Sequence, residues 1–237
     1  MSNRLVLLLV AIFVYSQNYL LSDLNSDGSV RISCYGDSLT EGVGTDSSGY
    51  PEFVRSLLKV EVLNFGVSGE RSVEIVSRLS SLKDVDSDFV VLMAGANDAW
   101  DGLNVEAYKR IIQRGLNISY FYSSLPVLMT NPPQCCGKGQ IYAVTSQYNE
   151  AVRNLSKING VSLVDNELLF LKTCRNLEVC ELISADGLHL TGSGYRLIAE
   201  ALSSVLLGLN PLDSNIRRDL AKKLGIEEDN LIIGLSL

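Results

Sequence analysis

The sequence predicts one α/β domain, a parallel sheet sandwiched between layers of helix. Three observations predict it. From residue 30 onward, short apolar runs alternate with helical patterns, as in consecutive strand–helix–strand units. The run "DFVVLMA" (88–94) is apolar throughout, as a strand covered on both faces must be. The chain's 237 residues, 46% of them hydrophobic and 20% charged, suffice to bury one substantial core.

Residues 1–21 stand apart. Arg4 precedes "LVLLLVAIFVY" (5–15), and a positive start with a short apolar run is the pattern of a secretory signal peptide or an uncleaved signal anchor. A buried strand or helix of the fold is the plainer alternative. Residues 22–29, "SDLNSDGS", read as a polar linker. The first strand is "VRISCY" (30–35). Pro51 then suits a helix first turn, and Phe53, Val54, Leu57 and Leu58 form an apolar stripe. "VEVLNF" (60–65) is the second strand, ended by Gly66. "ERSVEIVSRL" follows as a helix with Val73, Val76 and Leu79 on one side. After the third strand, Asn104 caps a helix running to about Arg114, with Val105, Tyr108, Ile111 and Ile112 facing inward. "LPVLMT" (125–130) is a fourth strand, a helix covers 140–157, and "VSLVD" (161–165) is a fifth strand. Thr191 caps the last helix, "GSGYRLIAEALSSVLL", and the main domain spans 30–209. Residues 210–237 form a C-terminal extension. Its helix "SNIRRDLAKKLGI" and apolar tail "NLIIGLSL" read as packed on the domain, with a partner-binding tail as the alternative.

The net charge of -7 argues against a nucleic-acid partner, which needs a basic face. Cys34 lies inside the first strand and reads as a buried small hydrophobe. Cys135 and Cys136 sit in the loop "NPPQCCGKG". Cys174 and Cys180 are close enough to close a small disulfide loop in an oxidising compartment. One histidine and no C-x-x-C pair are too few for most zinc sites, and no metal is expected. "GDSLTEGVG" lacks the spacing of a phosphate or dinucleotide fingerprint, so no cofactor is expected. Asn117 and Asn154 match glycosylation sequons, which matter only in a eukaryotic secretory pathway.

Function in such a sheet collects at the carboxyl ends of its strands. There the first strand runs into "YGDSLTEG", and Ser38 is either part of an ordinary turn or a nucleophile. Acyl transfer also needs a base, a group to orient it and donors for an oxyanion. His189 is the only histidine. It lies in "SADGLHLTGSGY", with Asp186 three residues earlier, close enough to bind one imidazole nitrogen. Gly66 and Asn97, each just past a strand, are candidate oxyanion donors; a tight turn and a helix cap are their ordinary readings. A G-x-S-x-G elbow is absent.

Taken together, "YGDSLTEG", "NFGVSGERS", "GAND" and "DGLHLTGSGY" resemble, in order and rough spacing, the four signature blocks of the SGNH (GDSL-type) hydrolase family, from about Val30 to Leu206. The resemblance implies a three-layer, flavodoxin-like fold with a five-stranded parallel sheet. It implies Ser38 as nucleophile, His189 as general base and acid, and Asp186 as the orienting carboxylate. It also implies an oxyanion hole made of the Ser38 and Gly66 N–H groups and the Asn97 side-chain amide. Asp37 and Asp98 are expected to bond loop backbone.

The expected activity is hydrolysis of carboxylic esters through an acyl-enzyme, without metal or cofactor. Substrates are expected to be small esters, an acylated sugar or lipid, with short acyl or acetyl groups favoured because no long apolar lid is evident. The alternatives are a lysophospholipase or thioesterase for longer chains, and a non-catalytic binding protein on the same scaffold. Trp100 and Tyr50 are candidate pocket walls. The N-terminal segment implies a secreted or extracytoplasmic protein, with a membrane tether if that segment is retained.

Overall fold

The computed structural model describes residues 21–45 and 49–233. The expected signal peptide or anchor lies outside the described residues but for Leu21. Among the described residues no helix is long and apolar enough to cross a membrane.

Five strands form one sheet: β1 (Arg31–Gly36), β2 (Glu61–Gly66), β3 (Phe89–Met93), β4 (Leu125–Met129) and β5 (Ser162–Val164). Their order is β2-β1-β3-β4-β5, and every pairing is parallel. This is the expected flavodoxin-like arrangement, whose strand order reverses between β1 and β3. The two-residue period of the strands sorts their side chains between two cores. Ile32, Cys34, Val91, Met93, Val127 and Met129 enter one, and Tyr35, Val90, Leu92 and Leu128 enter the other.

Between and after the strands run α1 (Ser38–Glu41), α2 (Tyr50–Leu58), α3 (Ser72–Arg78), α4 (Ala96–Asp101), α5 (Val105–Phe121), α6 (Gly139–Asn159), α7 (Asn166–Thr173), α8 (Gly192–Leu206) and α9 (Ile216–Leu224). Helices α2 and α8 pack together over the first core, and α3, α5 and α6 cover the second. Asn104 and Thr191 cap α5 and α8 as expected. Asn104 Oδ1 accepts from the Glu106 and Ala107 N–H groups, and Thr191 Oγ1 from that of Gly194.

Three differences from the sequence reading have physical causes. Helix α5 continues past Arg114 to Phe121. Gly115, which reads as a helix breaker, lets the helix lie close on the sheet: a Cβ there would sit 3.0 Å from Leu92 and 3.2 Å from Val76. In α3 the phase is shifted, with Val73 exposed and Ser72, Ile75 and Val76 buried. The buried Asp98 carboxylate, which binds Ser72, sets that phase. Helices α1, α4 and α7 are not expected from the sequence, which offers no marked apolar stripe over these short segments.

Both ends of the described chain are tied to the domain. Asp88 accepts the Leu24, Asn25 and Arg31 N–H groups. Ile216 and Leu220 of α9, with Leu231 and Ile233, join the first core. Beneath them Glu200 of α8 is fully buried; its Oε2 accepts the Ile232 and Ile233 N–H groups, both at 2.7 Å, and Oε1 pairs with Arg196. Replacing it leaves buried donors unpaired. Glu200→Ala is therefore expected to cost about 3 kcal/mol in urea unfolding, with loss of hydrogen-exchange protection at Ile232 and Ile233.

Candidate active site

β1 ends at Gly36, and one residue later α1 begins at Ser38. Asp37 makes the sharp turn between them: its Oδ1 accepts the Leu39 N–H at 2.9 Å, an N-cap bond. Ser38 thus stands at the carboxyl edge of the sheet, 8% exposed. His189 reaches it from the loop before α8, with Nε2 3.0 Å from Ser38 Oγ. His189 Nδ1 lies 2.6 Å from Asp186 Oδ2. The other oxygen, Asp186 Oδ1, accepts the Leu188 and His189 N–H groups, each at 2.9 Å. One carboxylate therefore both shapes the loop and orients the ring it carries. Burial alone would raise the Asp186 carboxyl, but the bonds from Leu188 and His189 outweigh it and hold it below the ordinary range. An ionised Asp186 accepts the Nδ1 hydrogen, which leaves Nε2 as the acceptor for the Ser38 hydroxyl.

Ser38 N–H donates to no group among the described residues. Gly66 requires a correction. Its N–H is spent on Asn64 Oδ1 at 2.9 Å. A Cβ there would lie 2.1 Å from Glu41 N, so glycine at 66 lets the end of β2 press against α1. From this block Gly69 lines the same cavity as Asn97, with φ of +82° and no partner for its N–H among the described residues. Its signal in the sequence is the Ser68-Gly69 pair, a turn dipeptide just before α3. Asn97, in α4, spends one amide hydrogen on Glu70 O at 2.8 Å and keeps the second.

Three charged groups hold these loops together. Asp98 takes the Ser72 N–H at 2.8 Å and the Ser72 hydroxyl at 2.6 Å, which joins the loop after β3 to the start of α3. Arg78 donates to Phe65 O, Gly36 O and the Glu70 carboxylate. Glu41 accepts from the Ser68 N–H at 2.7 Å and from its hydroxyl.

Beside Gly69 and Asn97 opens a cavity of about 460 Å³ whose wall includes Arg71, Glu74, Trp100 and Asp101. Arg71 bridges the two acids, 2.6 Å from Glu74 and 3.1 Å from Asp101. Trp100 is 52% exposed, with the Lys138 ammonium 5.1 Å from its ring centroid. Tyr50, the other expected pocket wall, is fully buried, and its hydroxyl lies 3.3 Å from Thr40 Oγ1. An N-terminal position on a helix packed against α8 makes it part of the core.

The sequence matches the GDSL-like lipase/acylhydrolase family over residues 34–197. No curated protein matches the chain. Among solved structures it is similar to a lipase/acylhydrolase from Enterococcus faecalis, at 21% identity and a TM-score of 0.67, over 76% of this chain and 96% of that one. It is also similar to a catalytic mutant of an acetylxylan esterase from Geobacillus stearothermophilus, at 17% identity and a TM-score of 0.64, over 84% and 95% of the two chains. A lipolytic G-D-S-L protein from Veillonella parvula gives 17% identity and a TM-score of 0.65, over 73% and 96%.

Asp37 is fully buried and its Oδ2 has no partner among the described residues. Burial pushes its carboxyl up to about 7 from an ordinary 3.8; the Asp98 charge adds to the rise, and the Leu39 N–H and His189 oppose it. The folded protein thus keeps a proton that the unfolded chain has already released. That contribution to stability is complete below pH 3.8 and is lost as pH rises through about 7. Asp37→Asn keeps an acceptor for Leu39 and carries no charge. At pH 8 its Tm is expected to exceed that of the parent by on the order of 5 °C, and at pH 4 the two should nearly coincide in a thermal melt.

Proposed function

This chain belongs to the GDSL-like lipase/acylhydrolase family, a family of hydrolases, and from that premise we propose that it is a serine esterase for short-chain, chiefly acetyl, esters of polar alcohols. The observation that carries the reading is the unbroken chain of hydrogen bonds Ser38–His189–Asp186. As Ser38 Oγ attacks the ester carbonyl, His189 Nε2 takes its proton, and Asp186 stabilises the imidazolium that forms. The tetrahedral oxyanion is met by neutral donors, the Ser38 and Gly69 N–H groups and the free hydrogen of the Asn97 amide. His189 returns the proton to the leaving alkoxide. Water then repeats the cycle on the acyl-enzyme and releases the acid.

The cavity beside Gly69 and Asn97 supports a small, polar substrate. Its charged wall of Arg71, Glu74 and Asp101 offers a long acyl chain little apolar surface to bury. The exposed Trp100 ring suits a flat sugar face with hydroxyls reaching the charged rim. The likeness to an acetylxylan esterase agrees with that preference. We also infer an oxidising, extracytoplasmic compartment, a reading that the Cys174–Cys180 and Cys135–Cys136 pairs support.

With p-nitrophenyl esters from acetate to octanoate, kcat/KM is expected to peak at the shortest chains and fall by about tenfold or more at octanoate. A peak at octanoate would favour the long-chain alternative. Ser38→Ala should lower kcat by about 10³ or more and abolish labelling by a fluorophosphonate, and Asp186→Asn should lower kcat by about 10²–10⁴. Full turnover by the Ser38→Ala protein would refute the assignment.

A further inference from the structure

The loop 131–138, "NPPQCCGKG" without its last residue, plays no part in the chemistry above, yet it touches the acid–base loop directly. The Cys135 N–H donates to Gly187 O at 3.0 Å, and Gly187 lies between Asp186 and His189. Gly187 has φ of +71°, and a Cβ there would lie 2.4 Å from Cys135 O. The two backbones are therefore in contact with no side chain between them, and a displacement of Cys135 passes straight to the loop. Asp186 needs such support, since its side chain is 48% exposed and burial does little to fix it.

Cys135 is in turn held by its neighbour. A disulfide joins Cys135 to Cys136 and closes a small ring that includes the peptide bond between them. Cys136 has φ of +57°, a left-handed conformation that L residues seldom adopt. The Cys136 N–H reaches Glu178 Oε1 at 3.2 Å, inside the segment closed by Cys174–Cys180. Lys138 N–H returns to Cys135 O at 3.1 Å. Gln134 is buried, but neither polar atom of its side chain has a partner among the described residues, so it adds no hydrogen bond to hold this turn.

We propose that the Cys135–Cys136 disulfide is a positioning element for the Asp186–His189 loop and keeps His189 aligned on Ser38. This rests on the esterase reading for its effect on turnover, but not for its effect on the ring of His189. A small dithiol tests it. One reagent thiolate attacks a sulfur of the pair and breaks the S–S bond. The second reagent thiol then displaces the protein from the mixed disulfide. The reagent ends as its own cyclic disulfide, and Cys135 and Cys136 end as two thiols. Lys138 on Trp100 is an exposed cation–π contact of modest strength, so substrate binding is expected to change less than turnover.

The experiment is a dithiothreitol titration of the intact protein. Alkylation and peptide mapping assign the reduced cysteines, p-nitrophenyl acetate gives kcat and KM, and NMR follows the ring protons of the single histidine. In step with reduction of Cys135–Cys136, kcat is expected to fall about tenfold while KM changes by less than about threefold. The His189 ring resonances should shift, and reoxidation should restore all three. The double variant Cys174→Ser/Cys180→Ser should keep this response. Cys135→Ser/Cys136→Ser should show the reduced kcat and ignore the reagent; if it does not fold, reduced wild-type protein supplies the same comparison. Unchanged kcat and unchanged His189 resonances with Cys135–Cys136 reduced would overturn the proposal, as would a lowered Tm as the sole effect. An oxidised protein that hydrolyses no ester would instead defeat the esterase reading, and the His189 resonances would then decide the positioning role alone.

Discussion

The pairing of β1 with β2 on one side and β3 on the other is the constraint on which the site depends. A strand flanked on both sides by parallel partners brings three carboxyl ends to one edge of the sheet, and the reversal of strand order there leaves a crevice between the following loops. Ser38 follows β1, Gly69 follows β2 and Asn97 follows β3. Their loops would diverge without the cross-links between them. Arg78 binds carbonyls from the ends of both β1 and β2, and Asp98 joins the loop after β3 to the start of α3.

Electrostatics divides the site in two. On the His189 side a single carboxylate, Asp186, is kept ionised by the hydrogen bonds it accepts. On the other side the candidate oxyanion donors are neutral, so they can stabilise developing charge without paying to bury one of their own. Asp37 lies beneath both, buried and raised toward neutrality. A protonated Asp37 still accepts the Leu39 N–H through Oδ1, and so holds the Ser38 turn without setting a second negative charge under the nucleophile.

The loop 131–138 spans from the acid–base loop to the wall of the polar cavity, with Cys135 on Gly187 and Lys138 over Trp100. Its sequence, rich in turn residues and carrying adjacent cysteines, shows only that the segment is irregular. What it touches depends on where β4 ends relative to α8, and that is a long-range matter of packing.

The amino-acid sequence by itself marked the strands, a parallel sheet between helices, the caps Asn104 and Thr191, and Ser38, Asp186 and His189 as candidates, while the flavodoxin-like order and the roles of those three came from the resemblance of its motif blocks. The elements are written in local patterns: short apolar runs for the strands, apolar stripes and capping residues for the helices, and an Asp three residues from a lone His. Tertiary structure alone decided three further points. Gly66 packs β2 against α1, where a Cβ would meet Glu41, and its N–H is spent on Asn64, whereas Gly69 keeps its N–H and lines the cavity beside Asn97. Tyr50 is core and Trp100 is surface, since burial depends on which helix covers a position, and one aromatic reads like another in sequence. Glycine stands inside helix α5 at 115 where a Cβ would crowd Leu92 of β3 and Val76 of α3. Each of these turns on contacts between residues far apart in the chain, which no local pattern records.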